Sequence, residues 1–275
     1  MKYTIKFLPH FRREPLEIEI ADSVPPSCRA KAAVEAAVKA GISLAGVDLS
    51  GADLVGAALA GTDIRNARLV DADLRDACLT RARLSGAYAV DVRLSGADLS
   101  GATLSHTHLS GADLSRAILT FARLHGADLS GADLSGAGLR GADLFGAGLV
   151  CARLRGACLV TAHITCADLS RADLSGADLS CANLAFADLS RANLAFADLS
   201  RANLFAARLR GANLADADLV DARLTRADFA AACLLGADLS CVDLSCVDLS
   251  CAVVSGAASS RRRSARRPRP ARTFA

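Results

Sequence analysis

Tryptophan is absent from this chain of 275 residues, methionine occurs once, and aromatic residues make up only 4%. Globular domains usually fill their centres with such large side chains, so this scarcity excludes an ordinary globular core. Yet 52% of the residues are hydrophobic, which leaves a thin core of Leu and Ala. Long apolar runs are missing as well. Polar residues interrupt every stretch before it reaches membrane-spanning length, which excludes a transmembrane helix. Met1 to Glu14 carry Lys and Arg without a long apolar stretch. They do not read as a signal peptide, and the cytoplasm is the expected compartment. Between residues 42 and 259 there is no Lys and no Glu, only 18 Arg against 24 Asp, a net of −6. Residues 1–41 carry +2 and residues 260–275 carry +7.

What is present is a period of five. Stepping from Leu44 to Val254 gives 43 centres, of which 38 are Leu; the others are Ile64, Ala89, Ile164, Phe229 and Val254. Ala lies two places before the centre in 36 of the 43 units. Five is neither the 3.6 of a helix nor the 2 of a strand. In a straight strand each step would flip the Leu to the other face, and in a helix the Leu would drift around the axis. The Leu series shares a core only if the chain turns once per unit. It then winds as a coil with Leu and Ala inward and the other three positions outward, its backbone pairing with the coils above and below.

The unit, as in Ala112-Asp113-Leu114-Ser115 or Ala192-Asn193-Leu194-Ala195, resembles the tandem Ala-(Asp/Asn)-Leu-x-x motif of pentapeptide-repeat proteins. The resemblance covers about 210 of the 275 residues. It implies an all-β fold, a right-handed quadrilateral β-helix with four units per coil. On that pattern the 43 units make ten to eleven coils, a rod roughly 50 Å long at a coil spacing of about 4.8 Å.

Three segments are expected. Residues 1–41 form a small α+β cap. In it, Tyr3–Leu8 and Leu16–Ile20 alternate like strands, and Cys28–Ala40 present Ala33, Val34, Ala37 and Val38 on one helical face. Ser27 reads as the N-cap and Gly41 as the C-terminal stop. This leader also resembles that of a subset of bacterial pentapeptide-repeat proteins. Residues 42–255 form the β-helix, and residues 256–275, rich in Arg and Pro, form a disordered basic tail.

The candidate sites are surfaces. At 20 residues per coil, Asp178, Asp198, Asp218 and Asp238 stack in one column. The family resemblance implies that a long acidic face mimics duplex DNA and binds a type II topoisomerase such as gyrase. A 50 Å duplex carries roughly 30 charges, however, against a net of −6 here. The period also lacks the loops that interrupt quinolone-resistance relatives. Phe145, Phe186 and Phe205 share one side of the rod and mark a possible contact patch, with Phe121 and Phe196 also facing outward. His106, His108 and His125 fall near one another but read as solvated. Nine of the ten cysteines lie at outward repeat positions, on successive faces that do not converge on one ion, and read as free thiols. Val253 and Val254 form an apolar last edge. The resemblance implies a homodimer through the C-terminal coil, with the Arg tail opposing further stacking.

No Ser, Cys, His and Asp arrangement stands out from its repeat copies, and there is no phosphate-binding Gly loop. No enzyme activity, cofactor or metal is expected. The reading is a non-enzymatic binding or scaffold solenoid with an unidentified protein partner. The alternative is a DNA-mimic modulator of gyrase. Nucleic acid contact is expected only nonspecifically, through the tail.

Overall fold

The computed structural model describes residues 1–11 and 14–258. Parallel bridges join residue i to residue i+20, from Asp48↔Arg68 to Asp238↔Ala258. Each coil therefore holds four pentapeptides, one on each of four faces. The coil pattern runs through Ala258, past the boundary expected after residue 255. The rest of the expected tail, residues 259–275, lies outside the described residues.

The backbone accounting explains the motif. In the unit around Leu114, the Asp113 N–H donates to Val92 on the coil before, 2.9 Å. The Leu114 N–H donates to Asp133 on the coil after, 2.7 Å, and Arg116 to Ser135, 3.0 Å. The Ala117 N–H closes the turn on the Leu114 carbonyl, 3.0 Å. One donor per unit remains, and the Asp side chain accepts it: Ser115 N–H to Asp113 Oδ1, 3.0 Å. Asn does the same, as between Ala195 and Asn193 at 3.3 Å. Every N–H in the unit thus has a partner. Asp or Asn before the centre therefore serves the backbone as well as the surface, although other units, such as those with Ile118, Gly138 or Cys158, keep the coil without it.

The residue two places after each centre closes the corner with positive φ. Where it is not Gly, it still lies between +53° and +63°, as at Phe121, Phe186, Phe196 and Arg201. Such a conformation costs a side-chain-bearing residue roughly 1 kcal/mol or more. The recurrence of Gly at this place was the sequence signal for it.

The core is a column of centres and alanines, almost all fully buried as far as Leu239. Ala89 is buried, yet Tyr88 beside it is 52% exposed and does not fold into the space. Thr107, inward like the alanines, donates its hydroxyl to the Leu84 carbonyl at 3.0 Å.

The cap has β1 (Lys2–Phe7), β2 (Leu16–Glu19) and α1 (Arg29–Lys39). β1 lies between β2 and β3 (Val47–Asp48), antiparallel to both. β3 belongs to the first coil, so the cap sheet runs directly into the solenoid. Ala33, Val34 and Ala37 of α1 are buried in the same core. Two polar side chains of α1 complete the seal. Lys31 Nζ donates to the Val55 carbonyl at 2.8 Å, and Glu35 Oε1 accepts from the Ala58 N–H at 2.9 Å. They stand in for the backbone of a coil that does not exist. Gly41 ends the helix at φ +71°, with Ile42 N–H bonded to Ala37 at 3.0 Å. Ser27 is not the N-cap. Pro26–Cys28 form a 3₁₀ turn, which places Ser27 inside that turn and leaves Cys28 at the cap without a side-chain hydrogen bond.

Candidate partner faces of the rod

Asp178, Asp198, Asp218 and Asp238 are successive bridge partners, so they do form one column. Each Oδ1 accepts the N–H two residues on, at 3.0, 2.8, 2.8 and 2.8 Å. Bonds from Ser240 hold the Asp238 carboxyl below the usual carboxylate range. None of the four makes an ion pair among the described residues. Arg171 and Arg191 occupy the diagonally distant corner, and only Arg201 stands beside the column. A shallow concavity of ≈ 370 Å³ next to it is lined by Asp198, Ser200, Arg201, Asp218 and Asp221 among others. Further up the same face come Ile118, 45% exposed, then Gly138 and Cys158. Phe121, 67% exposed, closes the adjoining corner, and its ring lies over Gly141, where a Cβ would meet Phe121 Cε1.

The aromatic side separates into two groups. His106 meets His125 edge-on at 5.4 Å, and His125 stacks on Phe145 at 5.1 Å. Phe186 meets Phe205 edge-on at 5.4 Å. Thr165 and Cys166 occupy the coil between, so Phe145 does not join the other two phenylalanines. His108 turns to the next face and stacks on Tyr88 at 4.7 Å. No group of three or more His, Cys, Asp or Glu side chains among the described residues is placed to hold a metal. All ten cysteines are free, seven of them exposed.

The last coil differs from the others. Its inward residues Val242, Leu244, Val247 and Leu249 are only half-buried, and Val253 and Val254 are 53% and 48% exposed. No described residue covers this end. No helix among the described residues is long and apolar enough to cross a membrane.

Sequence reasoning missed the role of carboxylates near the cap. Asp63 accepts from Arg65 two residues on and from Arg83 one coil on. Asp73 is held likewise by Arg75 and Arg93. The hydrogen bond from Arg65 is the main reason that the Asp63 carboxyl is held well below its usual range, and Arg75 does the same for Asp73. The signal was an Arg at both i+2 and i+20 of one Asp.

The family model for pentapeptide repeats matches in eight copies, with segments from 42–81 through 97–136 and 167–204 to 222–257. Among solved structures, the chain is similar to HetL, a pentapeptide repeat protein involved in heterocyst differentiation regulation in the cyanobacterium Nostoc sp. strain PCC 7120. The identity is 35%, over 82% of this chain and 92% of that one, with a TM-score of 0.57. Rfr23 from the cyanobacterium Cyanothece 51142 is 36% identical over 35% of this chain and 59% of its own, TM-score 0.25. QnrB1, a plasmid-mediated fluoroquinolone resistance protein, is 23% identical over 75% and 88%, TM-score 0.35. No curated protein matched in sequence. With the repeat model covering most of residues 42–257 and the match to HetL, this chain belongs to the pentapeptide-repeat family, whose fold is the right-handed quadrilateral β-helix.

Proposed function

We propose that the protein is a non-enzymatic binding or scaffold rod of the cytoplasm, and that the face bearing Asp178, Asp198, Asp218 and Asp238 is its contact surface. One observation carries this reading: four aspartates in line, none of them ion-paired among the described residues. Such a line attracts a partner protein with a basic surface and steers its approach. Phe186 and Phe205 pack together at a corner that does not border this face, so they would serve a separate contact. Replacing the four aspartates together by Asn keeps the oxygen that accepts the backbone N–H, as Asn183 and Asn193 do, and removes only the charge. Capture of partners from the source cell by the full chain, then by this variant, tests the reading. Equal capture would exclude the column as the contact surface.

The second reading is a DNA-mimic modulator of a type II topoisomerase, which the same column favours. Its charge density is low against a duplex. Inhibition of gyrase-catalysed supercoiling, lost in the Asn variant, would establish it; no effect would remove it. A homodimer through the last coil is a further part of the proposal, because exposed Val253 and Val254 lie at an edge that no described residue covers. Sedimentation of the full chain and of Val254→Lys tests it, with a monomer in both as the contrary result.

A further inference from the structure

The face that carries the Asp column changes charge along its length. On this face and its two bordering corners, the three coils from Arg116 to Thr161 hold Arg116 and Arg140 and no carboxylate, with Arg155 on the rim. The four coils that follow hold Asp178, Asp198, Asp216, Asp218, Asp221 and Asp238 against Arg201 alone. Arg116, Arg140 and Arg155 are all exposed. Neither Arg116 nor Arg140 makes an ion pair among the described residues, and Arg155 reaches Asp173 only at 3.7 Å. Apolar bulk divides the same way. Phe196 and Leu235, 68% and 49% exposed, stand beside the acidic stretch. Small residues, Gly136, Gly138, Gly156 and Cys158, lie along the basic one.

We propose that two copies of this chain pair side by side through this face, antiparallel, about a two-fold axis at the coil of Asp178. Such an axis reverses the direction of one rod and keeps each border of the face over the same border of the second copy. Counting coils outward from Asp178 then gives the contacts. One coil out, Phe196 meets Gly156 and Cys158 of the second copy. Two coils out, Arg140 meets Asp218 and Asp221. Three coils out, Arg116 meets Asp238. Symmetry makes every contact twice. The six coils from Ile118 to Asp238 span about 29 Å at about 4.8 Å per coil. So narrow a strip lies at the low end of interface sizes. The pair is therefore weak, is drawn together by charge and is dissociated by salt. Asp178 meets its own copy on the axis and opposes the pairing. The pair covers the Asp column, so it competes with any outside partner; that consequence rests on the proposed function, and the pairing itself does not.

The test is sedimentation of the full chain carrying Val254→Lys, which removes association through the last coil. Three variants of that parent are compared with it: Arg140→Asp, Asp218→Arg and both together. Arg fills the place of Asp218 in other units, such as those of Arg153 and Arg208, and the coil is kept there. The parent pairs at low salt and is a monomer at high salt. Each single change weakens pairing about tenfold, because it sets like charges together at two symmetric contacts. The double change restores pairing to within about threefold of the parent, because the exchanged charges face each other again. A merely nonspecific attraction would fall further in the double variant, whose two stretches differ less in charge. Asp178→Asn in the parent strengthens pairing. A monomer at low salt, a double variant no better than the singles, or weaker pairing after Asp178→Asn overturns the proposal. So does association that Asp218→Arg reduces and Arg140→Asp leaves unchanged, which would assign it to the seven Arg of residues 260–275. Partner capture that depends on the column in a chain that stays monomeric would refute the pairing and leave the proposed function standing.

Discussion

The two halves of the rod share one backbone and differ in what they do with charge. Residues 42–159 carry 11 Arg and 12 Asp, and residues 160–259 carry 7 Arg and 12 Asp. In the first half Asp63 and Asp73 are each held between an Arg on their own unit and an Arg one coil on. In the second half the column from Asp178 to Asp238 has no such partners among the described residues. These six aspartates fill the same place in the repeat, and each accepts the same backbone N–H. The backbone uses the oxygen and not the charge, so the charge is available for other uses. Near the cap it is spent on neighbouring coils. Toward the C-terminus Asp173 and Asp188 are still paired, with Arg155 and Arg208, but the column is left outward.

The sharpest way to break this division is to put charge where only apolar atoms belong. Leu134 is fully buried mid-rod, so Leu134→Asp costs several kcal/mol, while Ser135→Asp on the surface is nearly neutral. Leu249, half-buried in the last coil, pays much less for the same change. Thermal melting of the three variants checks this; equal losses at Leu134 and Ser135 would refute the inward and outward assignment.

Ala89 probes the first half alone. With Tyr88 turned out onto His108, Ala89→Leu is expected to stabilise by about 1–3 kcal/mol. A loss of stability in denaturant melts would mean that neighbouring side chains already fill the space.

Much of this was legible before any coordinates. The period of five gave the inward column, and the break after Gly41 gave the cap. The corner geometry was less legible. Gly recurs at the corner, but its left-handed φ appears only when coil follows coil. The seal by Lys31 and Glu35 was hidden for a different reason: a Lys and a Glu four apart look like any solvated helix pair. Stacking likewise decides which rings meet. His106, His108 and His125 looked like one cluster, and alternation between corner and face sends His108 elsewhere. Whether the Asp column binds anything was not legible, because one residue type serves backbone and partner alike.

A smaller effect separates the two ends of the rod. Glu35→Ala leaves the Ala58 N–H at the first coil without its acceptor and is expected to cost about 1 kcal/mol. No described residue plays that part at the last coil. Hydrogen exchange is therefore expected to be slower at Ala58 than in residues 242–254, and Glu35→Ala reduces the difference. Uniform protection at both ends would contradict this picture.

The smallest effect lies in the pH dependence. Asp63 has its folded pKa depressed, first by the hydrogen bond from Arg65. Its contribution is fully present above the ordinary carboxylate pKa of about 4 and is lost as pH falls below that toward the folded value. Because its Arg partners are about half-exposed, the contribution is about 1 kcal/mol or less. Asp63→Asn is expected to flatten that part of the acid stability curve.

The comparison between the halves rests most directly on one measurement: melting temperature at neutral pH after matched neutralisations. Asp63→Asn with Asp73→Asn removes carboxylates that neighbouring Arg side chains hold, and a fall of several degrees, about 2–4 °C per kcal/mol, is expected. Changing Asp178, Asp198, Asp218 and Asp238 together to Asn removes stacked like charges that repel, and the melting temperature is expected to hold or rise. A fall in the second variant as large as in the first would show that the column, too, is spent on the fold, and would contradict the account.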